Sequence, residues 1–394
     1  MNQGGLAIWF WQRIVSPHMA WLAAALAQRG CAVSYVAEQE MTADRARLGW
    51  RAPDLGNAVL RIASTDSEAQ ALVREAHRDS VHICQGIRSN GRIGLVQRAL
   101  AQRGLKQWVV METVDDAGVR GVLKRLEYAR LFRRWRKVLE GVLATGHSTA
   151  DWITARGMPI ERVFPFAYFL QDQRWPGTRL TRMSGPIRFV FVGQFVEGKR
   201  LDLLISALGR LVHQAKFELL VIGSGPLEAR LQARAHAVLP GRVRWIGRLL
   251  QEDVPGAIAQ ADCLVLPSRH DGWGAVISES LMVGVPVVCS DACGAAVAVK
   301  ASGVGGVFAA NDESDLVRHL RRAIEIGPIG SANRKQLALW ASCLGASAGA
   351  DYLLQIIAHR QTGGVRPNPP WSINARNYSP SEMWVDAFKS GAIF

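Results

Sequence analysis

The chain has 394 residues, of which 49% are hydrophobic and 20% charged, a composition typical of a globular protein. At roughly 100 to 200 residues per domain, this length excludes a single ordinary core and predicts two domains of similar size. No segment reaches the roughly 18 uncharged apolar residues that a membrane-spanning helix needs. The formal charge of +14 indicates polyanionic partners, which include nucleic acid, acidic membranes and phosphorylated small molecules.

Short apolar runs alternate with longer amphipathic stretches in the first half of the chain. Residues 1–10 lack a basic leader and a small-residue cleavage site, so we expect a buried strand there and a cytoplasmic protein. The predicted strands are Leu6–Phe10, Ala32–Ala37, Val81–Gln85, Gln107–Met111 and Val142–Thr145, with helices over His18–Arg29 and Glu68–Asp79. This alternation predicts a parallel sheet with helices on both faces.

The same alternation restarts after a linker over residues 171–186. The predicted strands are Ile187–Val192, Phe217–Ile222, Val243–Ile246, Cys263–Leu266 and Val285–Cys289. A long helix is predicted over Lys335–Arg360, followed by a polar, Pro-rich tail. The fold class is therefore α/β, with two Rossmann-like, doubly wound parallel sheets facing a cleft. We expect an N-terminal domain over 1–175, a C-terminal domain over 185–350, and a helix and tail over 351–394 that could pack back on the N-terminal domain.

Two absences from the sequence bear on metals and disulfides. The six cysteines include no C-x-x-C pair and are scattered through apolar segments, which indicates reduced core thiols and supports the cytoplasmic assignment. No D-x-D occurs, although carboxylates at that spacing are what Mg²⁺ or Mn²⁺ would need to hold a nucleotide diphosphate. We therefore expect neither a metal nor a resident cofactor.

Two carboxylates, Asp271 and Glu279, bracket the predicted start of a helix in the second domain. A strand ends before Asp271, and Gly272, Trp273 and Gly274 form the turn into the helix. A helix N-terminus beyond the carboxyl end of a parallel strand offers free N–H groups to a phosphate. Glu279 lies one turn inside the helix, where it could accept hydrogen bonds from a ribose diol. The alternative is that Asp271 only caps the helix and Glu279 is a solvated helix residue.

A second glycine turn carries two adjacent cations. Gly193 and Gln194 follow a predicted strand, and Lys199 and Arg200 precede an amphipathic helix. Cations at this place could neutralise a diphosphate leaving group through charge-assisted contacts. An ordinary basic surface turn is the alternative for this loop taken alone.

Together these two segments resemble glycosyltransferase family 4, whose members have the GT-B fold and an E-x(7)-E motif in the C-terminal domain. The likeness extends over Ile187–Asp291, and it is fainter at Val15–His18 and Ala150–Phe169. The resemblance implies a nucleotide-diphosphate sugar as co-substrate and transfer with retention of stereochemistry.

The resemblance also implies a role for each motif residue. Glu279 would hold the ribose, Lys199 the diphosphate, the backbone of 272–274 the donor, and Asp271 the transferred sugar. The sequence departs from the family where Asp271 replaces Glu, and where Gln194 stands in place of a diphosphate-binding Arg. It departs again near the end of an N-domain strand, where Asp115 takes the place of the family's His as a second candidate catalytic residue.

The segment Val119–Leu143 interleaves eight Lys and Arg residues with Leu, Phe and Trp. This pattern predicts a basic amphipathic helix that lies on an anionic membrane surface at the inner face of the membrane. The acceptor would then be a lipid-linked saccharide of cell-surface polysaccharide synthesis, with His18 as a candidate contact. A packed domain helix with a solvated basic face is the alternative.

Four other functions compete with glycosyl transfer. A nicotinamide oxidoreductase is suggested by Gly223-x-Gly225 after a strand, but the third glycine position is Glu228, so the fingerprint is incomplete. A nucleic-acid binder is suggested by the charge, yet no nucleic-acid motif appears, and we expect no such partner. A catalytically silent nucleotide-sugar-binding protein and a sugar-nucleotide epimerase on the same fold remain open.

Overall fold

The computed structural model describes residues 5–47, 50–88, 90–173 and 185–377. These residues form two compact units: unit 1 comprises Met1–Asp172 and Gly345–Pro369, and unit 2 comprises Gln173–Leu344 and Pro370–Phe394, in each case over the described residues. The predicted third segment, 351–394, is thus divided between the two units. Most of the predicted linker, 171–186, and the end of the tail, 378–394, lie outside the described residues.

Unit 1 contains a parallel seven-stranded sheet with strand order β3-β2-β1-β4-β5-β6-β7. Its strands are β1 Ala7–Gln12, β2 Ala32–Ala37, β3 Val59–Ile62, β4 Val81–Gln85, β5 Lys106–Glu112, β6 Leu139–Thr145 and β7 Val163–Phe166. Its first helices are α1 Pro17–Gln28, α2 Ala43–Arg47, α3 Asp66–Glu75, α4 Ile93–Gln102, α5 Gly118–Trp135 and α6 Thr149–Thr154. All five predicted strands are present. The two that the sequence did not predict, β3 and β7, are the edges of the sheet, and each is only four residues long.

The sheet of unit 1 is covered on both faces. Trp11 and Val36 are paired in register and belong to a buried cluster that includes residues of α3 and α4. Their neighbours Phe10 and Tyr35 point to the opposite face and are just as buried. Burial on both faces is typical of parallel sheets and explains why these strands are continuous apolar runs.

Unit 2 contains a parallel six-stranded sheet with strand order β10-β9-β8-β11-β12-β13. Its strands are β8 Ile187–Val192, β9 Phe217–Ile222, β10 Val243–Gly247, β11 Cys263–Leu266, β12 Val287–Ser290 and β13 Gly305–Phe308. Its helices are α7 Leu201–Gly209, α8 Glu228–Val238, α9 Val254–Ala259, α10 Ala275–Met282, α11 Ala296–Ser302, α12 Glu313–Ile326 and α13 Ser331–Ala341. The prediction of two doubly wound α/β sheets is confirmed.

Two predicted helices are wrong in extent. The helix predicted over 119–143 ends at Trp135, because residues 139–145 form the buried strand β6. The helix predicted over 335–360 is two helices, α13 and α14 (Ala346–Thr362), separated by a short turn and by Gly345, whose backbone is extended (φ −79°, ψ 158°). A last helix, α15, spans Pro370–Asn377.

All six cysteines are free thiols, as the sequence predicted. Five of them are buried and Cys31 is half-buried. Within the described stretches, no helix combines the length and apolar character that crossing a membrane requires.

Candidate active site

The two predicted motifs meet at the carboxyl edge of the unit 2 sheet. The loop 193–200 follows β8 and the turn 271–274 follows β11, and these strands are neighbours at the centre of the sheet. The next strand after β8 lies on one side of it and β11 on the other, which makes this edge a topological switch point, where open α/β sheets bind ligands. The Arg269 N–H donates to the Gly198 carbonyl at 2.8 Å and joins the two loops.

Lys199 and Asp271 form an ion pair at this edge. The Lys199 Nζ lies 2.5 Å from the Asp271 Oδ2, and the side chains are 28% and 15% exposed. These residues belong to two separate sequence motifs and are 72 positions apart in the chain. The structure brings the predicted diphosphate cation and the predicted sugar-binding carboxylate into direct contact.

The backbone of the 271–274 turn is fixed by the segment that follows β12. The Asp271 N–H donates to the Ala292 carbonyl at 3.1 Å, and the Asp271 carbonyl accepts from the Gly294 N–H at 2.9 Å. The Ala295 N–H donates to the Trp273 carbonyl at 2.7 Å. This supporting segment could not be predicted from the sequence, because backbone hydrogen bonds between loops leave no signature in side-chain identity.

Gly274 sets the start of helix α10. Its φ of +85° is in the left-handed region, and a Cβ added there would lie 3.2 Å from the Leu266 side chain. Gly272 and the Trp273 side chain are buried, and the Trp273 indole N–H donates to the Ser278 hydroxyl at 3.0 Å. The Trp273 side chain thus packs in the core, and it is the backbone of the turn that lies at the helix N-terminus.

Glu279 carries a carboxyl group without a partner. The residue is half-buried on α10, and no described residue donates a hydrogen bond to it or forms an ion pair with it. Burial raises the pKa of the Glu279 carboxyl from 4.5 to about 7. Within the described part of the chain, the carboxylate therefore lacks compensation and is available to hydroxyl donors of a ligand.

The glycines of the suspected dinucleotide fingerprint have a packing role. A Cβ on Gly223 would lie 1.9 Å from the Gly193 carbonyl oxygen, and one on Gly225 would lie 2.6 Å from the Phe195 carbonyl oxygen. The loops after β8 and β9 therefore approach each other too closely for a side chain. Gln194, in the first of these loops, is exposed, and its side chain bonds to no described residue.

Arg200 differs from its neighbour Lys199 in its partners. Its backbone is left-handed (φ 53°) at the start of α7. Its guanidinium pairs with the Asp202 carboxylate at 3.2 Å and also donates to the Asn311 side chain. Lys199, by contrast, points to Asp271, so the two predicted cations face different groups.

Asp115 lies in unit 1, in the loop between β5 and α5. Its side chain is exposed and accepts from the Ala117 N–H at 3.3 Å, as in an ordinary turn. The neighbouring Asp116 is a structural anchor, because its carboxylate accepts from the Trp152 indole at 2.9 Å and from Arg156 at 3.0 Å.

His18 also lies in unit 1, at the start of α1. Its half-buried ring is stacked on Tyr168, with 4.7 Å between ring centroids, and it meets the Trp50 ring edge-on at 5.8 Å. Burial, together with the positive charge of Arg45, lowers the pKa of His18 to about 4, so the imidazole is neutral at physiological pH.

The edge of unit 2 is suited to a ligand that is anionic at one end and rich in hydroxyl groups at the other. Lys199 and the N-terminus of α10 offer positive potential and N–H donors, and Glu279 offers a hydrogen-bond acceptor. In the part of the chain that the structure describes, no group of three or more His, Cys, Asp or Glu residues is arranged to hold a metal ion.

Comparisons with known proteins identify the family and the fold. Residues 179–338 match the model of the family described as glycosyl transferases group 1. The chain resembles HepE from Anabaena, solved in complex with UDP, with a TM-score of 0.68 and 14% identity over 90% of this chain and 100% of that one. That likeness shows the fold.

Two curated relatives differ in how much of them the chain covers. It is 31% identical to glycogen synthase of Mycobacterium tuberculosis over 39% of its own length but spans only 37% of that protein. It is 32% identical to O-antigen chain mannosyltransferase B of Escherichia coli over 290 residues, which are 71% of this chain and 69% of that one. From this extended match and the family model, the chain belongs to the group 1 glycosyltransferases.

Proposed function

We propose that the protein transfers a sugar from a nucleoside-diphosphate sugar to a saccharide acceptor in polysaccharide synthesis. The observation that carries the proposal is the juxtaposition of Lys199, Asp271 and the α10 N-terminus at the carboxyl edge of the unit 2 sheet. The named activities of the relatives, a mannosyltransferase of O-antigen chains and a glycogen synthase, support this class of reaction.

The donor would be held through its diphosphate and its ribose. Lys199 and the N–H groups at the start of α10 would bind the diphosphate, with Gly193, Gln194 and Arg200 in the adjoining loop. Glu279 would accept hydrogen bonds from the ribose hydroxyls, which compensates a carboxylate that has no partner among the described residues. The UDP bound to HepE, a protein of the same fold, supports a nucleotide as part of the donor.

The Lys199–Asp271 pair suggests how the sugar is positioned. When a diphosphate binds, Lys199 gains a second anionic partner, and Asp271 is released to accept hydrogen bonds from the sugar. We propose that transfer retains stereochemistry and uses no metal, since Lys199 and the helix N-terminus supply positive charge where the leaving diphosphate develops negative charge. Asp115 remains a proposed second catalytic residue.

The acceptor side of the proposal depends on helix α5. Tyr128 and Phe132 on this helix are buried, whereas Val119 and Leu123 are 83% and 65% exposed. Leu126 follows on the same face at helical spacing and is 54% exposed. Apolar side chains exposed in a continuous row usually mark an interaction surface.

Cations flank this row of apolar side chains and favour an anionic partner. Arg120, Arg130, Arg134 and Lys137 are exposed. An apolar row with flanking Arg and Lys is the pattern of a helix that lies on an anionic bilayer. We therefore propose that the protein binds the cytoplasmic face of an anionic membrane through α5 and that its acceptor is a lipid-linked saccharide.

Vesicle co-sedimentation tests the membrane surface. The protein should sediment with vesicles that contain phosphatidylglycerol but not with pure phosphatidylcholine, and added salt should release it. The double substitution Arg130→Glu and Arg134→Glu should abolish sedimentation. The matched change Arg230→Glu and Arg234→Glu, with the same spacing on exposed positions of α8, should leave it intact. Equal losses in both double variants would contradict a specific role for α5.

Product analysis tests the reaction itself. Each nucleoside-diphosphate sugar is incubated with the protein and a membrane extract, and the products are identified by mass spectrometry and NMR. A new glycosidic bond with the donor's anomeric configuration is the expected result. Binding without turnover would favour a silent nucleotide-sugar-binding protein, and a change of sugar configuration without transfer would favour an epimerase.

A further inference from the structure

The carboxyl edge of the unit 1 sheet carries an aromatic cluster that the donor site does not use. His18 stands at the start of α1, after β1, and Tyr168 follows β7. The two rings are stacked with centroids 4.7 Å apart, and the Trp50 ring meets His18 edge-on at 5.8 Å. All three residues are half-buried.

Polar and charged groups surround these rings. The Tyr168 hydroxyl is hydrogen-bonded to the carboxylate of Glu112, the last residue of β5. The Arg45 guanidinium lies 4.2 Å from the centroid of the Trp50 ring. The His18 imidazole bonds to no described residue, and its Nδ1 is buried without a partner. A buried polar atom without a hydrogen bond lowers the stability of the folded protein and usually indicates a missing partner.

A purely structural role fits these facts less well. Elsewhere in the same sheet, Trp11 is fully buried, and its indole N–H donates to the buried His82 at 3.0 Å. The second ring nitrogen of His82 is bonded to the Ser80 hydroxyl at 2.9 Å. This pair shows how the chain satisfies an imidazole and an indole that serve only packing, and neither His18 nor Trp50 is satisfied in that way.

The chemistry of the cluster matches a sugar ring. A saccharide ring has an apolar C–H face, which an aromatic ring can cover, and a rim of hydroxyl groups, which need hydrogen-bond partners. Trp50 and Tyr168 supply aromatic surface. Glu112 supplies acceptors, and a neutral imidazole can accept from one hydroxyl or donate to another.

We propose that His18, Trp50, Tyr168 and Glu112 form a site in unit 1 that binds one saccharide ring of the acceptor. The proposal rests on the proposed function in glycosyl transfer and names the acceptor residues of that reaction. Aromatic rings and a hydrogen-bonding carboxylate can bind an uncharged sugar, so a neutral hexose should suffice as a probe.

Saturation-transfer NMR and calorimetric titration test the site in the full chain saturated with UDP, or with GDP, ADP or dTDP if the chain binds one of these instead. The probes are the α-methyl glycosides of glucose, mannose and galactose. The substitution Trp50→Ala should weaken binding by about tenfold, as expected for loss of an aromatic contact, whereas Trp50→Phe should retain most of it. His18→Phe should also weaken binding, because it keeps a ring against Tyr168 but loses the imidazole nitrogens.

UDP binding, measured on the same samples, separates this proposal from the donor site. Loss of glycoside binding in Trp50→Ala and His18→Phe with UDP binding intact would support the site. Undiminished glycoside binding in both variants, or no glycoside binding by a wild-type chain that binds UDP, would overturn it while leaving the donor site in place. Should Trp50→Ala fail to fold, Trp50→Phe and His18→Phe decide the question. Failure of the wild type to bind UDP, GDP, ADP and dTDP alike would instead count against the proposed function and overturn the acceptor proposal that rests on it.

Discussion

Replacing Glu279 with Gln should make the protein more stable above neutral pH. Burial raises the pKa of the Glu279 carboxyl from 4.5 to about 7, and no described residue compensates its charge. At about 1.4 kcal/mol per pH unit, this pKa difference lowers the wild type's free energy of unfolding above neutral pH by roughly 3 kcal/mol. Gln keeps the size of the side chain and removes the cost of burying a charge.

The effect has a defined pH window. Below pH 4.5 the carboxyl is protonated in both the folded and the unfolded chain, so wild type and Glu279→Gln should be equally stable. Between pH 4.5 and about 7 the unfolded chain releases its proton while the folded chain keeps it, so the wild type loses stability as the pH rises. Above about pH 7 the difference between the two proteins should be constant.

Urea unfolding at pH 4.5 and pH 8 measures the difference. The control is Glu252→Gln, an exposed glutamate of unit 2, which should change stability little at either pH. The same Gln substitution should weaken UDP binding, because a ribose diol loses its carboxylate acceptor. A Glu279→Gln variant no more stable than the wild type at pH 8 would refute the account of an uncompensated buried carboxylate.

Two further predictions concern the donor site. Gly274→Ala should cost about 1–3 kcal/mol of stability and weaken UDP binding, because the residue has φ +85° and little room beside Leu266. The control is Gly256→Ala, within α9, where the added carbon would have no atom within 4 Å. This variant should be neutral or stabilising in the same urea unfolding experiment. Donor affinity measured by calorimetry should be the same in EDTA and in Mg²⁺ or Mn²⁺, since Lys199 and the α10 N-terminus supply the positive charge; an affinity that depends on the metal would contradict this.

The sequence predicted the central elements of the fold well, because these strands are buried on both faces. Ala32–Ala37 and Cys263–Leu266 were predicted with the correct ends, since a parallel strand between two helical layers is a bounded apolar run. The edge strand β3 lacks that constraint, because its Val59 is 54% exposed, and it was not predicted. The end of α5 and the start of β6 were not predicted, because cations and apolar residues are interleaved throughout 119–143.

The candidate site could be predicted in its residue types but not in its contacts. The spacing of Asp271 and Glu279 and the glycines between them indicated a ligand-binding turn. The direct pairing of Lys199 with Asp271 depends on β8 and β11 being neighbours, which is a property of strand order and not of local sequence. The packing role of Gly223 was hidden for the same reason, since its close neighbour is the Gly193 carbonyl on another loop.

The most direct test of the central claim is calorimetric titration with a panel of UDP-, GDP-, ADP- and dTDP-sugars in the absence of metal. We predict that one nucleotide class binds, that Lys199→Ala and Glu279→Ala each remove the binding, and that Lys300→Ala, an exposed lysine of α11, does not. Binding that survives both site substitutions, or no binding of any donor by the folded wild-type protein, would contradict the assignment of the donor site to this edge of unit 2.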